Sequence, residues 1–258
     1  MNTTKPMQVR ISVAIITYNE ERNIRRCLQS VQGIADDIVV IDSHSTDATR
    51  SICMEYGARV IEQQFLGYVA QKNLANDAAL YDHVLSLDAD EELSPELKRS
   101  VTHAKDHWQH DGYELKRLTN YCGHWVRYCG WYPDKKIRLF DRRKARWTGE
   151  ALHERLELDD TSAMGTLKGD LLHYSYYTIN DHLKQIDKFT DIQARELFEK
   201  GKRPNLFQVR IKPQFKFLRD YIFKLGFLDG FYGYTIARLS SQAVLIKYVK
   251  AELLFRNK

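Results

Sequence analysis

Asp88 and Asp90, separated only by Ala89, close the apolar run that starts at His83, and Glu91 and Glu92 follow at once. Carboxylates this close repel one another, and burying one without a partner is costly. Two acids flanking one small residue can converge on a single cation. Their hard oxygen donors suit Mg2+ or Mn2+, which in turn can grip a diphosphate. The competing structural role is a solvated acidic turn, with Glu91 and Glu92 favouring the start of a following helix. Two further polar clusters end apolar runs: Thr17 to Glu21 and Asp42 to Asp47. No glycine-rich phosphate loop follows the first run, which argues against a dinucleotide or P-loop site. A nucleotide held here needs another device for its diphosphate, and a divalent metal on carboxylates supplies one.

The elements that must position these groups alternate through the first hundred residues. Runs at 9–17, 36–42, 58–63 and 83–88 are predicted strands, and the segments between them carry helical spacing. Ile24, Leu28 and Val31 share one face of the first helix. Ser45 or Thr46 is expected to cap the second, which Gly57 closes. A further helix begins near Ser94. Strand–helix alternation with short turns implies a parallel sheet covered on both faces, where ligands gather outside the carboxyl ends of the strands. After Gly112 short alternating segments point to antiparallel strands. From Thr178 a helix is expected to about Lys200, with a stripe of Ile179, Leu183, Ile186, Ala194 and Leu197. Two amphipathic stretches follow it: Leu218, Tyr221, Ile222 and Leu225, then Tyr232, Ile236, Leu239, Ala243 and Ile246.

With 258 residues and 43% hydrophobic content, the chain is expected to be globular. Its four cysteines show no CxxC pair and are expected to be reduced thiols. The opening residues are too weakly apolar for a signal peptide, and no run of about 18 apolar residues is present to span a membrane. From Lys200 to Lys258 there are 13 Lys/Arg against three acids, a net of +10, so the rest of the +5 chain carries −5. An acidic body with a basic tail suits an anionic membrane or a nucleic acid.

The ordered set IITYNEE, IVVIDSHSTDAT, QKN and VLSLDADEEL resembles the donor half of glycosyltransferase family 2 enzymes. The resemblance implies the GT-A fold, an α/β, Rossmann-like mixed sheet with helices on both faces, here followed by a C-terminal helical extension. RLFDRRKARWTGEALHERL and the basic aromatic tail resemble a subgroup, bacterial lipopolysaccharide core β-1,4-glucosyltransferases. On this resemblance residues 1–177 form the transferase domain, with a donor half at about 9–100 and an acceptor half at about 101–177. Residues 178–258 form a helical, basic, membrane-associating extension.

The resemblance implies that Asp42 accepts a hydrogen bond from the nucleotide base, usually uracil, with Thr17, Tyr18 and Glu20 lining the pocket. Relatives commonly carry two adjacent Asp there, whereas this chain has Asp42-Ser43. Asp88 and Asp90 would hold the metal on the diphosphate, and Lys72, where many relatives have Arg, would assist the phosphates or else be a solvated surface lysine. Inverting transfer needs a carboxylate base. The Glu-Asp pair of many relatives is missing, which leaves Glu154 as the expected base, Glu150 and Asp134 as competitors, and His153 as a metal ligand or an orienting group. The opposing structural role pairs Glu154 with a neighbour such as Arg155. Trp125, Arg127 and Trp131 lie in an aromatic–basic loop suited to an acceptor sugar and its phosphate, or else to packing on its own sheet.

These expectations add up to an inverting, metal-dependent transferase. It would move a hexose, glucose from UDP-glucose, onto a lipid-linked saccharide at the inner face of the cytoplasmic membrane. The basic helices would touch that membrane, and no nucleic acid would be involved. Rival roles are a family 2 enzyme of different donor or acceptor, a non-catalytic sugar-nucleotide-binding module, and a nucleic-acid-binding protein using the basic tail.

Overall fold

The computed structural model describes residues 8–149, 154–159 and 163–257. They form two compact units, one comprising residues up to Arg117 together with Asp134–His173, the other Leu118–Pro133 and the chain from Tyr174. In the first unit β1 (Ile11–Thr17), β2 (Asp37–Asp42), β3 (Arg59–Glu62) and β4 (His83–Asp88) are parallel, in the order β3-β2-β1-β4. The intervening helices are α1 (Ile24–Val31), α2 (Thr49–Glu55) and α3 (Tyr68–Asp77). The sheet continues from β4 through β8 (Asp134–Asp141), β6 (Gly112–Tyr121), β11 (Met164–Tyr176) and β5 (Glu91–Leu93). The β4–β8, β6–β8 and β5–β11 pairs are antiparallel.

Both faces of β1, β2 and β4 are buried, which explains their unbroken apolar runs, whereas β3 at the edge is largely exposed. Val13, Ile15, Val40 and Leu85 join one core with α1 and with α4 (Pro95–Asp106). Ala14, Val39, Ile41 and Val84 join a second core on the α3 side. That second core also receives Trp147 and Leu156, which face each other across a separate hairpin of β9 (Ala145–Thr148) and β10 (Arg155–Leu158). Asn73 of α3 clamps this hairpin, donating to the Trp147 carbonyl at 2.9 Å and accepting from its N–H at 3.1 Å.

Gly169 fixes the approach of β11 to the start of α4. Its φ is +94°, and a Cβ there would stand 2.3 Å from the Leu97 nitrogen. Next to it, Asp170 and Ser94 exchange hydrogen bonds.

Two local expectations are corrected. Neither Ser45 nor Thr46 caps α2, which starts at Thr49 without a side-chain cap from Ala48. The Ser45 hydroxyl is engaged by Asp42 and by the Asn19 N–H, an alternative that outcompetes capping. Glu91 and Glu92 do not begin a helix; they lie in β5, and α4 opens at Ser94-Pro95.

In the second unit β7 (His124–Trp125) pairs with the end of β6. Helix α5 (Ile179–Glu199) starts at a Thr178–Asp181 capping box. Of its expected stripe, Ile186 and Ala194 are buried, whereas Ile179 and Leu183 face solvent. The tail forms α6 (Leu206–Leu218), a π-helical turn at Arg219–Phe223, a 3-10 turn at Gly226–Asp229 and α7 (Gly230–Arg256). All four cysteines are free thiols.

Candidate active site

The parallel register sets Thr17 beside Asp42 and Ile16 beside Asp88, so three polar strand ends meet at one edge of the sheet. Asp42 is wholly buried. Its two oxygens accept from the Ser45 N–H at 2.8 Å and the Ser45 hydroxyl at 2.5 Å. It therefore fixes the loop after β2 instead of presenting an oxygen to solvent. The loop after β1 is laced to it. Asn19 accepts from the Thr46 N–H, and the Glu20 N–H donates to the Thr49 hydroxyl at 2.7 Å. Tyr18 projects from this frame at 59% exposure, a ring free to stack. The Thr17 hydroxyl and the Gln71 side-chain oxygen are buried without a hydrogen-bond partner among the described residues. An unmade bond of that kind costs about 1–3 kcal/mol, which a ligand can relieve. Gln71 itself donates to the Ser43 hydroxyl, a position that sequence periodicity had left unremarked.

The acidic cluster separates into two chemistries. Asp88 pairs with Lys72 at 2.9 Å and Arg138 at 2.6 Å. Glu91, wholly buried, pairs with Arg138 at 2.8 Å and Arg117 at 3.5 Å, and Arg117 reaches Asp134 at 2.7 Å. Three acids thus balance three cations. Burial alone would raise the Asp88 carboxyl, but the charges of Arg138 and Lys72 outweigh it and hold the group far below the usual carboxylate range. Lys72 is buried, with its ammonium 4.5 Å from the Trp147 ring centre. The solvated-surface alternative for Lys72 is excluded.

Asp90 lies outside that balance and pairs with His173 at 3.2 Å. Burial raises its carboxyl, and His173 more than offsets this, leaving the group below its ordinary value. β11 places His173 opposite Glu91 in the register with β5, next to Asp90. Glu20 is pushed up to about 7, first by burial and then by Asp90, Asp47 and Asp88, against a hydrogen bond from Asn23.

The sign of the Glu20 shift predicts a pH-dependent stability. The native state favours the protonated acid, so that contribution is complete below the unfolded value of 4.5 and is lost as pH rises through about 7. Glu20→Gln should therefore match the parent chain at acid pH and exceed it by roughly 2 kcal/mol above neutrality. Urea melts in chelator across that range measure the gap. A gap that does not change with pH would contradict the burial of this carboxyl.

Glu154 stands 3.9 Å from the Lys72 ammonium, a quarter exposed. The alternative pairing of Glu154 with Arg155 is not made among the described residues, where Arg155 engages Glu157 at 2.6 Å. Asp134 is engaged by Arg117 and, at 3.2 Å, by Lys136. Glu150 and His153 lie outside the described residues.

Trp125, Arg127 and Trp131 belong to the second unit. There Trp125 meets Tyr174 edge-on at 5.2 Å, Arg127 lies over Tyr132 at 5.2 Å, and Trp131 packs on a core of Tyr121 and Ile236.

Among the described residues, no group of three or more His, Cys, Asp or Glu side chains is disposed to hold a metal ion. The Asp90–His173 pair nevertheless fits a dication. Two neighbouring ligand atoms of an octahedral Mg2+ at about 2.1 Å stand about 3 Å apart, and such ions commonly take only one or two carboxylates from protein, with phosphates and water completing the shell. The observed 3.2 Å is that of a hydrogen-bonded pair and is close to that spacing, so the two side chains could converge on one ion. His173 was not singled out from sequence; its signal was a histidine at the end of a strand whose partner could not be read locally. Arg117 and Arg138 were missed for the same reason.

Residues 12–113 match the family model for glycosyl transferase family 2. An uncharacterized glycosyltransferase of Rickettsia typhi is 31% identical, with 93% of this chain and 86% of the relative covered. A Rhizobium meliloti protein named lipopolysaccharide core biosynthesis glycosyltransferase LpsC is 26% identical over 91% of each chain. The mannosyltransferase PcManGT of Pyrobaculum calidifontis, solved with GDP-Man and Mn2+, is 13% identical and superposes with a TM-score of 0.55 over 99% of this chain and 91% of its own. The fold is therefore GT-A.

Proposed function

The chain belongs to glycosyltransferase family 2, and on that premise we propose that it is an inverting, divalent-metal-dependent hexosyltransferase. Its donor would be UDP-glucose and its acceptor a lipid-linked saccharide of the lipopolysaccharide inner-core kind. The observation that carries this reading is the split of the acidic cluster, in which Asp88 and Glu91 are neutralised by fixed cations while Asp90 stands beside His173. The similarity to LpsC supports the acceptor class, and the Mn2+ and nucleotide sugar of PcManGT support the donor chemistry.

Asp42 shapes the loop that walls the base, Tyr18 stacks on it, and the Thr17 hydroxyl finds its missing partner there. Asp90 and His173 would hold the metal. When bound, the ion would offset the negative charge that grows on the departing diphosphate. Lys72 and Arg138 hold Asp88 in place beside Asp90 and offset part of its repulsion. Glu154 takes the proton of the acceptor hydroxyl as that oxygen bonds to the anomeric carbon from the face opposite the diphosphate. The carbon–oxygen bond to phosphate breaks, and UDP leaves with the electron pair.

Thermal shifts with UDP-hexoses should show a nucleotide-dependent stabilisation that Mn2+ enlarges. A ligand at about 100 times its dissociation constant contributes roughly 2.7 kcal/mol. Glu154→Gln should keep that shift and lose transfer by about a hundredfold. UDP-hexoses without effect would sink the donor assignment, and full activity in the variant would move the base elsewhere.

A further inference from the structure

Helix α6 carries two apolar faces. The inner one packs within its own unit: Pro213 is buried, its carbonyl accepts from Ser241 at 2.7 Å, and Phe217 stacks on Tyr221. The outer one runs through Phe207, Ile211, Phe215 and Leu218 and continues to Ile222 in the π-helical turn, at exposures of 58%, 50%, 58%, 48% and 46%. At about 100° per residue this row lies opposite Pro213 and Phe217. Beyond it, Phe223 and Phe231 are exposed at 74% and 76%. A continuous apolar stripe of this kind marks an interaction surface, where scattered single residues would not.

The charge around it is predominantly positive, with Arg203 paired to Glu252 and Lys250 to Asp187 and Asp191. Between Gly201 and Lys250 the chain has ten Lys/Arg and two acids, Asp220 and Asp229, both buried. Asp220 is held by Lys216 and Arg219, and Asp229 accepts the N–H groups of Arg127 and Tyr128. Arg210 and Lys212, both exposed, flank the apolar row on either side, Lys212 also donating to the Tyr248 hydroxyl at 3.3 Å. A second copy of this chain is a poor occupant, because a two-fold contact would set these cations against themselves. No helix among the described residues is long and apolar enough to cross a membrane. A cationic-edged helix of that kind lies in the interface plane.

We propose that the outer face of α6, with Phe223 and Phe231, docks on an anionic lipid bilayer and buries its aromatic row at headgroup depth. This goes beyond the transfer reaction and stands without it.

Flotation of the full chain with phosphatidylethanolamine–phosphatidylglycerol vesicles, against phosphatidylcholine vesicles, measures it. The protein should float with the anionic vesicles and much less with the neutral ones. The triple variant Phe207→Gln, Ile211→Gln, Phe215→Gln should lose about a hundredfold or more in partitioning. Arg210→Gln with Lys212→Gln should lose about thirtyfold on the anionic vesicles alone. The triple variant alters exposed side chains and should keep the parent melting temperature, and both variants should keep the nucleotide-dependent thermal shift. Parent protein that remains unfloated with both vesicles would overturn the proposal. So would a lipid-free dimer in sedimentation equilibrium that the triple variant abolishes, since the face would then belong to a second copy.

Discussion

Asp90→Asn is expected to lower sugar transfer by about a thousandfold while the melting transition without ligand barely moves. The substitution keeps the shape of the side chain and removes the charge that, with His173, would hold the cation. Asp90 forms its ion pair with His173, apart from the Asp88–Glu91–Arg117–Arg138 contacts, so the substitution leaves those contacts in place. Two measurements separate the possibilities. The Mn2+-dependent part of the UDP-hexose thermal shift should vanish in Asp90→Asn, whereas the nucleotide-only part should remain. A variant that transfers sugar at near-normal rates would remove Asp90 from the chemistry and reopen the choice between it and Asp88.

The second large effect concerns stability. Arg138 is almost completely buried, donates to Asp88 at 2.6 Å and Glu91 at 2.8 Å, and lies 5.7 Å from the Trp147 ring centre. Burial opposes its charge, but Asp88 and Glu91 more than compensate and hold the guanidinium above its ordinary value. Arg138→Met should destabilise the chain by about 3–5 kcal/mol, because it leaves the buried Glu91 charge with the longer Arg117 contact and the Asp88 N–H. The double variant Arg138→Met, Glu91→Gln should recover much of that loss, since the stranded charge is then gone. Urea denaturation of the three proteins gives both numbers. A loss below about 1 kcal/mol in the single variant is what an exposed pair would give, and it would mean that water reaches the network.

The local sequence determined a good deal. Apolar runs alternating with helical spacing gave the four parallel strands, because a strand buried on both faces must be apolar at both parities, as Val13 with Ala14 and Val40 with Val39 are. Polar residues at the ends of three of those runs located one edge of the sheet as the place for chemistry. The family motifs added the GT-A fold and the transferase activity.

Which carboxylate does what was beyond it. Asp88, Asp90 and Glu91 sit within four positions of one another, and nothing local distinguishes them. Their difference is made by Arg117, Arg138 and His173, delivered by β6, β8 and β11 through antiparallel pairings set far along the chain. The burial of Lys72 likewise depends on Trp147, brought over α3 by a hairpin whose clamp is Asn73. The tail shows the same division. Helical spacing marked Leu218–Leu225 and Tyr232–Ile246 but not the Phe207–Ile211–Phe215 row, and only the packing of α6 on α7 decided which side of α6 lies inside and which faces outward. Periodicity is a property of neighbours along the chain; charge balance and exposure belong to neighbours in space.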